Sequence, residues 1–176
     1  MSDNAGAISS AVITDFDGTL AMLGVPWDAL REALAVERIA DLWRETDRQR
    51  WETVTRAEIE AARTALPVAR VIRALDSVAA IAILSNNDED AIRVFLKRFP
   101  PLCSRVRHVV GRRALNGPKT DFVVFSEGFD ACKRALTVQD VTYIGDMTYE
   151  LEFARSLGAR AIDVKALEDE RDRGTR

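Results

Sequence analysis

The segment Asp15-Phe16-Asp17-Gly18-Thr19-Leu20 sets two carboxylates one residue apart, immediately before a glycine. On an extended stretch, residues i and i+2 share a face, so Asp15 and Asp17 can enter one cavity. Gly18 lets the backbone turn away directly afterwards. Two carboxylates this close repel one another unless a divalent cation lies between them or one of them holds a proton. Either condition suits phosphoryl transfer through a covalent intermediate. That chemistry needs a carboxylate nucleophile, a proton donor for the leaving group and positive charge around the phosphate. The chain supplies further groups of the right kinds. Asp146, preceded by Gly145, is a third acidic residue, and Glu150 falls one helical turn later, where it can support a metal through water. An open site rich in carboxylate oxygen suits Mg²⁺, which keeps several waters. Lys119, in Gly117-Pro118-Lys119-Thr120, offers a fixed positive charge, and Ser85 with Asn86 offers hydroxyl and amide donors for phosphate oxygens.

These residues need elements to hold them. Ala11 to Thr14 is a short, mainly apolar run with three β-branched members, which suits a buried strand with Asp15 at its end. Ala79 to Leu84 runs in the same way into Ser85-Asn86-Asn87, and Val141 to Ile144 into Gly145-Asp146. Val106 to Val110 and Arg160 to Val164 are weaker candidate strands. Helical periodicity covers Pro67 to Asp76, Asp88 to Arg98, Asp121 to Leu136 and Met147 to Leu157, with Gly158 as a C-terminal stop. Alternating strands and helices predict an α/β fold, a parallel sheet with helices on both faces and ligands at the carboxyl ends of the strands. Asp15, Ser85 and Asp146 then share one edge. From about Val25 to Leu66 the alternation breaks: no strand signal occurs, Pro26-Trp27-Asp28 reads as a helix start, and a charged helical stretch follows. Between Arg31 and Arg63 it holds eight acidic residues and seven arginines, so we expect a solvated helix pair with Trp43 and Trp51 packed inward.

In order along the chain, Asp15-Phe16-Asp17-Gly18-Thr19-Leu20, Ile83-Leu84-Ser85-Asn86-Asn87, Lys119 and Tyr143-Ile144-Gly145-Asp146 with Glu150 resemble the four motifs of the haloacid dehalogenase (HAD) superfamily. The resemblance spans Val12 to about Ile162. It implies a Rossmann-like, three-layer core with a small helical cap inserted after the first strand. It also implies an aspartyl-phosphate intermediate on Asp15, Asp17 as general acid and then general base, and Mg²⁺ bound by Asp15, the Asp17 backbone carbonyl and Asp146. The expected division is a core of residues 1–20 and 67–165, a cap of 21–66 and a charged tail of 166–176. Glu150 stands where Asp is common in the family, Met147 where a small polar residue is common, and the insertion is short for a four-helix cap.

The expected activity is a Mg²⁺-dependent phosphatase acting on a small phosphorylated metabolite. A phosphomutase would use the same residues with a sugar hydroxyl as acceptor. A receiver-like signalling domain phosphorylated on aspartate is a further alternative, although a compact receiver has no counterpart to the inserted helices. A catalytically silent binding module is disfavoured by the intact Asp15, Asp17 and Asp146. At 176 residues the chain has room for one catalytic core. With 47% hydrophobic and 30% charged residues and a net charge of -3, it reads as an ordinary soluble globular protein with no nucleic-acid footprint. No apolar stretch is long enough to cross a bilayer. Cys103 and Cys132 lack metal-type or scaffold spacing, which points to inert thiols in a reducing cytoplasm. His108 is expected in the core or at a sheet edge, and Arg112 and Arg113 as solvated residues that a phosphate-bearing substrate could attract.

Overall fold

The computed structural model describes residues 8–44 and 48–167. Of the charged tail expected at 166–176, residues 168–176 lie outside the described residues. Strand β1 (Ala11–Thr14) leads to a short strand β2 (Ala21–Met22), helix α1 (Trp27–Ala33), a 3₁₀ turn (Ile39–Arg44) and helix α2 (Arg48–Thr64). The chain returns through β3 (Leu66–Pro67) and α3 (Ala69–Ala74) to β4 (Ala80–Leu84), α4 (Glu89–Leu96), α5 (Pro100–Cys103) and β5 (Val106–Val110). It continues with α6 (Phe122–Leu136), β6 (Thr142–Gly145), α7 (Thr148–Ser156) and β7 (Arg160–Asp163), followed by a 3₁₀ turn (Val164–Ala166).

The main sheet has five strands in the order β5-β4-β1-β6-β7, all parallel. Its central strand is buried along its whole length, as an apolar run without polar alternation requires when both faces are covered. Side chains alternate between two cores. Val12, Ile81, Ile83 and Ile144 point to one face, where Phe16, Val71, Ile92 and Phe95 pack. Ile13, Ala82, Leu84 and Tyr143 point to the other, against Phe125, Phe129, Leu136 and Leu151. The register pairs Thr14 with Ile83 on one side and with Ile144 on the other. The ends of β1, β4 and β6 therefore lie side by side, and the strand order reverses direction at β1, where α/β sheets open a crevice for ligands.

Two features differ from expectation. Residues 25–66 do not carry a simple helix pair, because a 3₁₀ turn separates α1 from α2. The insertion also has an antiparallel stem, with Ala21 opposite Pro67 and Met22 opposite Leu66, where no strand was expected and Pro67 was assigned to a helix. Two residues per strand are too few to display the period-2 alternation that would reveal them. His108 lies exposed on β5, an edge strand.

Candidate active site

The turn after β1 builds the first part of the site. The Phe16 carbonyl accepts from the N–H groups of Leu20 at 2.8 Å and Ala21 at 3.0 Å, and Gly18 donates to the Ala21 carbonyl at 2.8 Å. Gly18 sits at φ +80°, a left-handed conformation that suits glycine. A β-carbon there would also stand 2.5 Å from Asp146 Oδ2, so glycine is needed twice over. Asp15 donates its N–H to the Ile144 carbonyl at 2.9 Å, which extends the sheet pairing by one residue and aims the carboxylate over the strand ends. Asp17 is half-buried, and its Oδ1 accepts from the N–H of Leu23 at 3.0 Å.

Lys119 is fully buried. Its Nζ donates to Asp15 Oδ1 at 2.7 Å, to Glu150 Oε1 at 2.7 Å and to the Leu84 carbonyl at 3.1 Å. A loop lysine would ordinarily reach into water; this one is drawn inside because two carboxylates compensate its desolvation. Its backbone N–H donates to Asn86 Oδ1 at 2.9 Å, which ties the lysine loop to the loop after β4. Glu150 is buried as well. Its Oε2 accepts from Tyr143 Oη at 2.6 Å and its Oε1 from Tyr149 Oη at 3.2 Å. A carboxylate so well supplied with donors orients Lys119 whatever else it does.

One lysine faces several acids, and the electrostatics follow. Burial, and then the charges of Asp15 and Glu150, act on Lys119, with the two carboxylates prevailing and raising its pKa. Asp15 is pushed up to about 7 by burial and by Glu150, against the opposing pull of Lys119. The two directions are compatible, because a single cation shared by two carboxylates leaves one negative charge uncompensated. Burial also raises Asp17, opposed by the N–H groups of Leu23 and Gly18, and raises Asp146, with Glu150 adding to the effect.

Oxygen atoms of Asp15, Asp146 and Glu150 lie within 4.8 Å of one another. Asp146 Oδ1 is buried and has no hydrogen-bond partner among the described residues. A buried carboxylate oxygen without a donor is costly, and a hard cation held by oxygen ligands would relieve it together with the excess negative charge. The donor set thus fits a divalent cation such as Mg²⁺. The Asp17 carboxylate stands outside this cluster, held instead by Leu23.

Ser85 and Asn86 line the same cavity as Asp15, Asp17, Lys119 and Asp146. Its volume is about 520 Å³, and Trp27, Trp43 and Trp51 of the insertion contribute to its wall. Trp43 and Trp51 pack edge to face, with ring centroids 5.3 Å apart. All the candidate residues of the sequence reading therefore converge on one space.

The structure adds residues that were not expected to build the site. Arg112 is buried rather than solvated, and its Nη1 donates to Glu58 Oε1 at 2.8 Å. Its guanidinium lies 4.6 Å from the centroid of the Trp51 ring. Arg113, by contrast, remains half in solvent, paired with Asp88 and Asp90. Glu58 and Asn87 join the wall of the cavity. A signal for Glu58 did exist: the buried stripe of α2 is Val54, Glu58 and Ala62, with a carboxylate at the four-residue spacing where an apolar side chain belongs.

No family model matches the sequence, nor does any curated protein. Among solved structures, a HAD-superfamily hydrolase from Ehrlichia chaffeensis matches with TM-score 0.59 and 17% identity, over 90% of this chain and 89% of that one. A HAD-superfamily hydrolase of subfamily IA from Geobacter sulfurreducens matches with TM-score 0.58 and 17% identity, over 93% and 90%. The L-2-haloacid dehalogenase of Xanthobacter autotrophicus, with chloropropionic acid covalently bound, matches with TM-score 0.57 and 16% identity, over 93% and 80%. With its five parallel strands, its insertion after β1 and Asp15 at the switch point of the sheet, this chain has the fold of the HAD-superfamily hydrolases.

Proposed function

We propose that the protein is a Mg²⁺-dependent phosphatase that hydrolyses a small phosphorylated metabolite through an aspartyl-phosphate on Asp15. The observation that carries this reading is Asp17, a second carboxylate on the cavity wall whose pKa is raised by burial. Burial favours the protonated form of this carboxyl, which is the form that can deliver a proton to a leaving alkoxide. Cleavage of a carbon–halogen bond has no use for that group, because halide departs without a proton. Asp17 thus favours a phosphomonoester over the haloacid of the dehalogenase that shares the fold.

In the reading we favour, an Asp15 carboxylate oxygen attacks phosphorus, and the bond to the leaving oxygen breaks as Asp17 protonates it. Asp17, now ionised, takes a proton from water as that water attacks the phosphorus of the acyl phosphate. The bond to Asp15 breaks, and inorganic phosphate leaves. Lys119 holds Asp15 in place through its 2.7 Å contact, while Ser85 and Asn86 supply donors to the phosphate oxygens. Asp15, Asp146 and the Asp17 backbone carbonyl, with Glu150 nearby, would hold Mg²⁺, which would supply positive charge against the phosphate and favour the ionised form of Asp15. The two free thiols, Cys103 and Cys132, suit a reducing cytoplasm.

Asp15→Asn should lower Mg²⁺-dependent hydrolysis of an aryl phosphate by on the order of a thousandfold or more while the fold persists. Undiminished turnover in that variant sinks the mechanism. Incubation with a small phosphodonor separates the alternatives. A phosphatase releases phosphate with turnover, a receiver-like domain retains it, and a phosphomutase passes it to an added sugar.

A further inference from the structure

Glu58 belongs to the inserted helix α2, yet its carboxylate is spent on the core. It is 1% exposed. Oε2 accepts from the backbone N–H of Asp88 at 3.0 Å, and Oε1 accepts from Asn87 Nδ2 at 3.1 Å and from Arg112 Nη1 at 2.8 Å. Arg112 donates in turn to Thr55 Oγ1 at 2.8 Å and to the Asn86 carbonyl at 3.3 Å. A surface ion pair would contribute little here. This cluster instead joins α2 to the three residues that follow Ser85.

The consequence for Ser85 runs through one amide. Because Asn87 Nδ2 must face a carboxylate, its Oδ1 faces the other way, and there it accepts from Ser85 Oγ at 2.9 Å. The Asn87 backbone N–H donates back to Ser85 Oγ at 3.2 Å. An amide has distinct donor and acceptor ends, so the Glu58 contact decides which end Ser85 meets. With Glu58 gone, the amide can turn and present a donor to a hydroxyl that already accepts one.

We propose that Glu58 is a positioning residue which, through the Asn87 side chain, orients the Ser85 hydroxyl for phosphate, so that a residue of the inserted helix sets the affinity of the core for phosphate. The inference rests on the phosphatase reading for the identity of its ligand. When phosphate arrives, the Ser85 proton turns from Asn87 Oδ1 to a phosphate oxygen, while the Asn87 N–H keeps the oxygen atom in place.

The test is titration of the full chain with inorganic phosphate in the presence of Mg²⁺, followed by calorimetry. Glu58→Gln and Asn87→Ala are each expected to weaken phosphate about tenfold, the scale of one hydrogen bond to a charged group. In a Ser85→Ala background, Glu58→Gln is expected to cost less than about twofold, because the group it acts through is gone. Asn87→Ala keeps the Glu58–Arg112 ion pair and so preserves the readout if Glu58→Gln folds poorly. An equal loss with and without Ser85 reduces Glu58 to a fastening of the helix and overturns the proposal, as does unchanged affinity in both single variants. Phosphate that fails to bind the unsubstituted protein overturns the phosphatase reading as well, whereas binding without coupling overturns this inference alone.

Discussion

Asp15 and Glu150 share the one ammonium group of Lys119, and this imbalance is testable by pH. The folded chain holds a proton on Asp15 up to about pH 7, whereas an ordinary aspartate releases it near 3.8. Between those values the native state binds more protons than the unfolded one, so stability is lost as pH rises through the window. In the absence of divalent metal, thermal midpoints should fall between about pH 4 and pH 7, and Asp15→Asn should remove that part of the slope. A slope identical in the variant would mean that Asp15 is not the group responsible. The partnerless Asp146 oxygen predicts a metal effect in the opposite direction. Mg²⁺ at a hundredfold excess over its dissociation constant should add about 2.7 kcal/mol, seen as a raised melting temperature that Asp146→Asn abolishes. Cys132 lies in the core, where burial pushes its thiol up to about 12. It should resist alkylation in the native state at pH 8, because the thiolate is the reactive form. Peptide mapping should find the half-exposed Cys103 modified first. Lys119 and Glu150 illustrate what residue type alone conveys. Each could be read as a candidate from its place in a motif, but burial, which makes them potent, came from Tyr143, Tyr149 and the strand ends packed around them.

At the scale of elements, the turn from Asp15 to Ala21 and helix α2 carry the strongest constraints. Gly18→Ala should cost about 1–2 kcal/mol from its left-handed backbone alone. The new β-carbon would also displace Asp146, so the variant should lose its response to Mg²⁺ beyond its loss of stability. Comparing melts with and without Mg²⁺ separates the two effects. Truncating Glu58 to alanine leaves Arg112, among the described residues, with Asp88 at 3.6 Å as its remaining carboxylate and should destabilise the protein by about 3–5 kcal/mol, measured by denaturant unfolding. Arg112 is itself held by its loop, since Glu89 accepts from the N–H groups of Gly111 at 3.1 Å, Arg113 at 3.3 Å and Ala114 at 3.2 Å. The acidic run Asp88-Glu89-Asp90 reads in sequence as an ordinary helix start, and Asp88 does cap α4. The reach of Glu89 across to the Gly111 loop has no local signature. The main strands were legible because a strand buried on both faces must be a short unbroken apolar run. The β2–β3 stem was not, because two residues on each side carry too little pattern.

For the whole molecule, the insertion decides what lies opposite the sheet edge that carries Asp15. All three tryptophans of the chain, Trp27, Trp43 and Trp51, line the cavity that contains Asp15. Intrinsic fluorescence should therefore change when an aryl phosphate binds the Asp15→Asn variant, and a titration with an unchanged spectrum would place the ligand elsewhere. By itself, the sequence determined the alternation of strands and helices and the motif residues at the strand ends, because both are written in stretches of a few consecutive residues. It also placed the break in that alternation after β1. Only the tertiary structure decided which distant groups meet: Lys119 with Asp15 across 104 positions, and Arg112 with Glu58 across 54. Those contacts arise from how the insertion and the later loops close over the sheet edge. Such closure depends on packing summed over many elements, and no short window of sequence contains it.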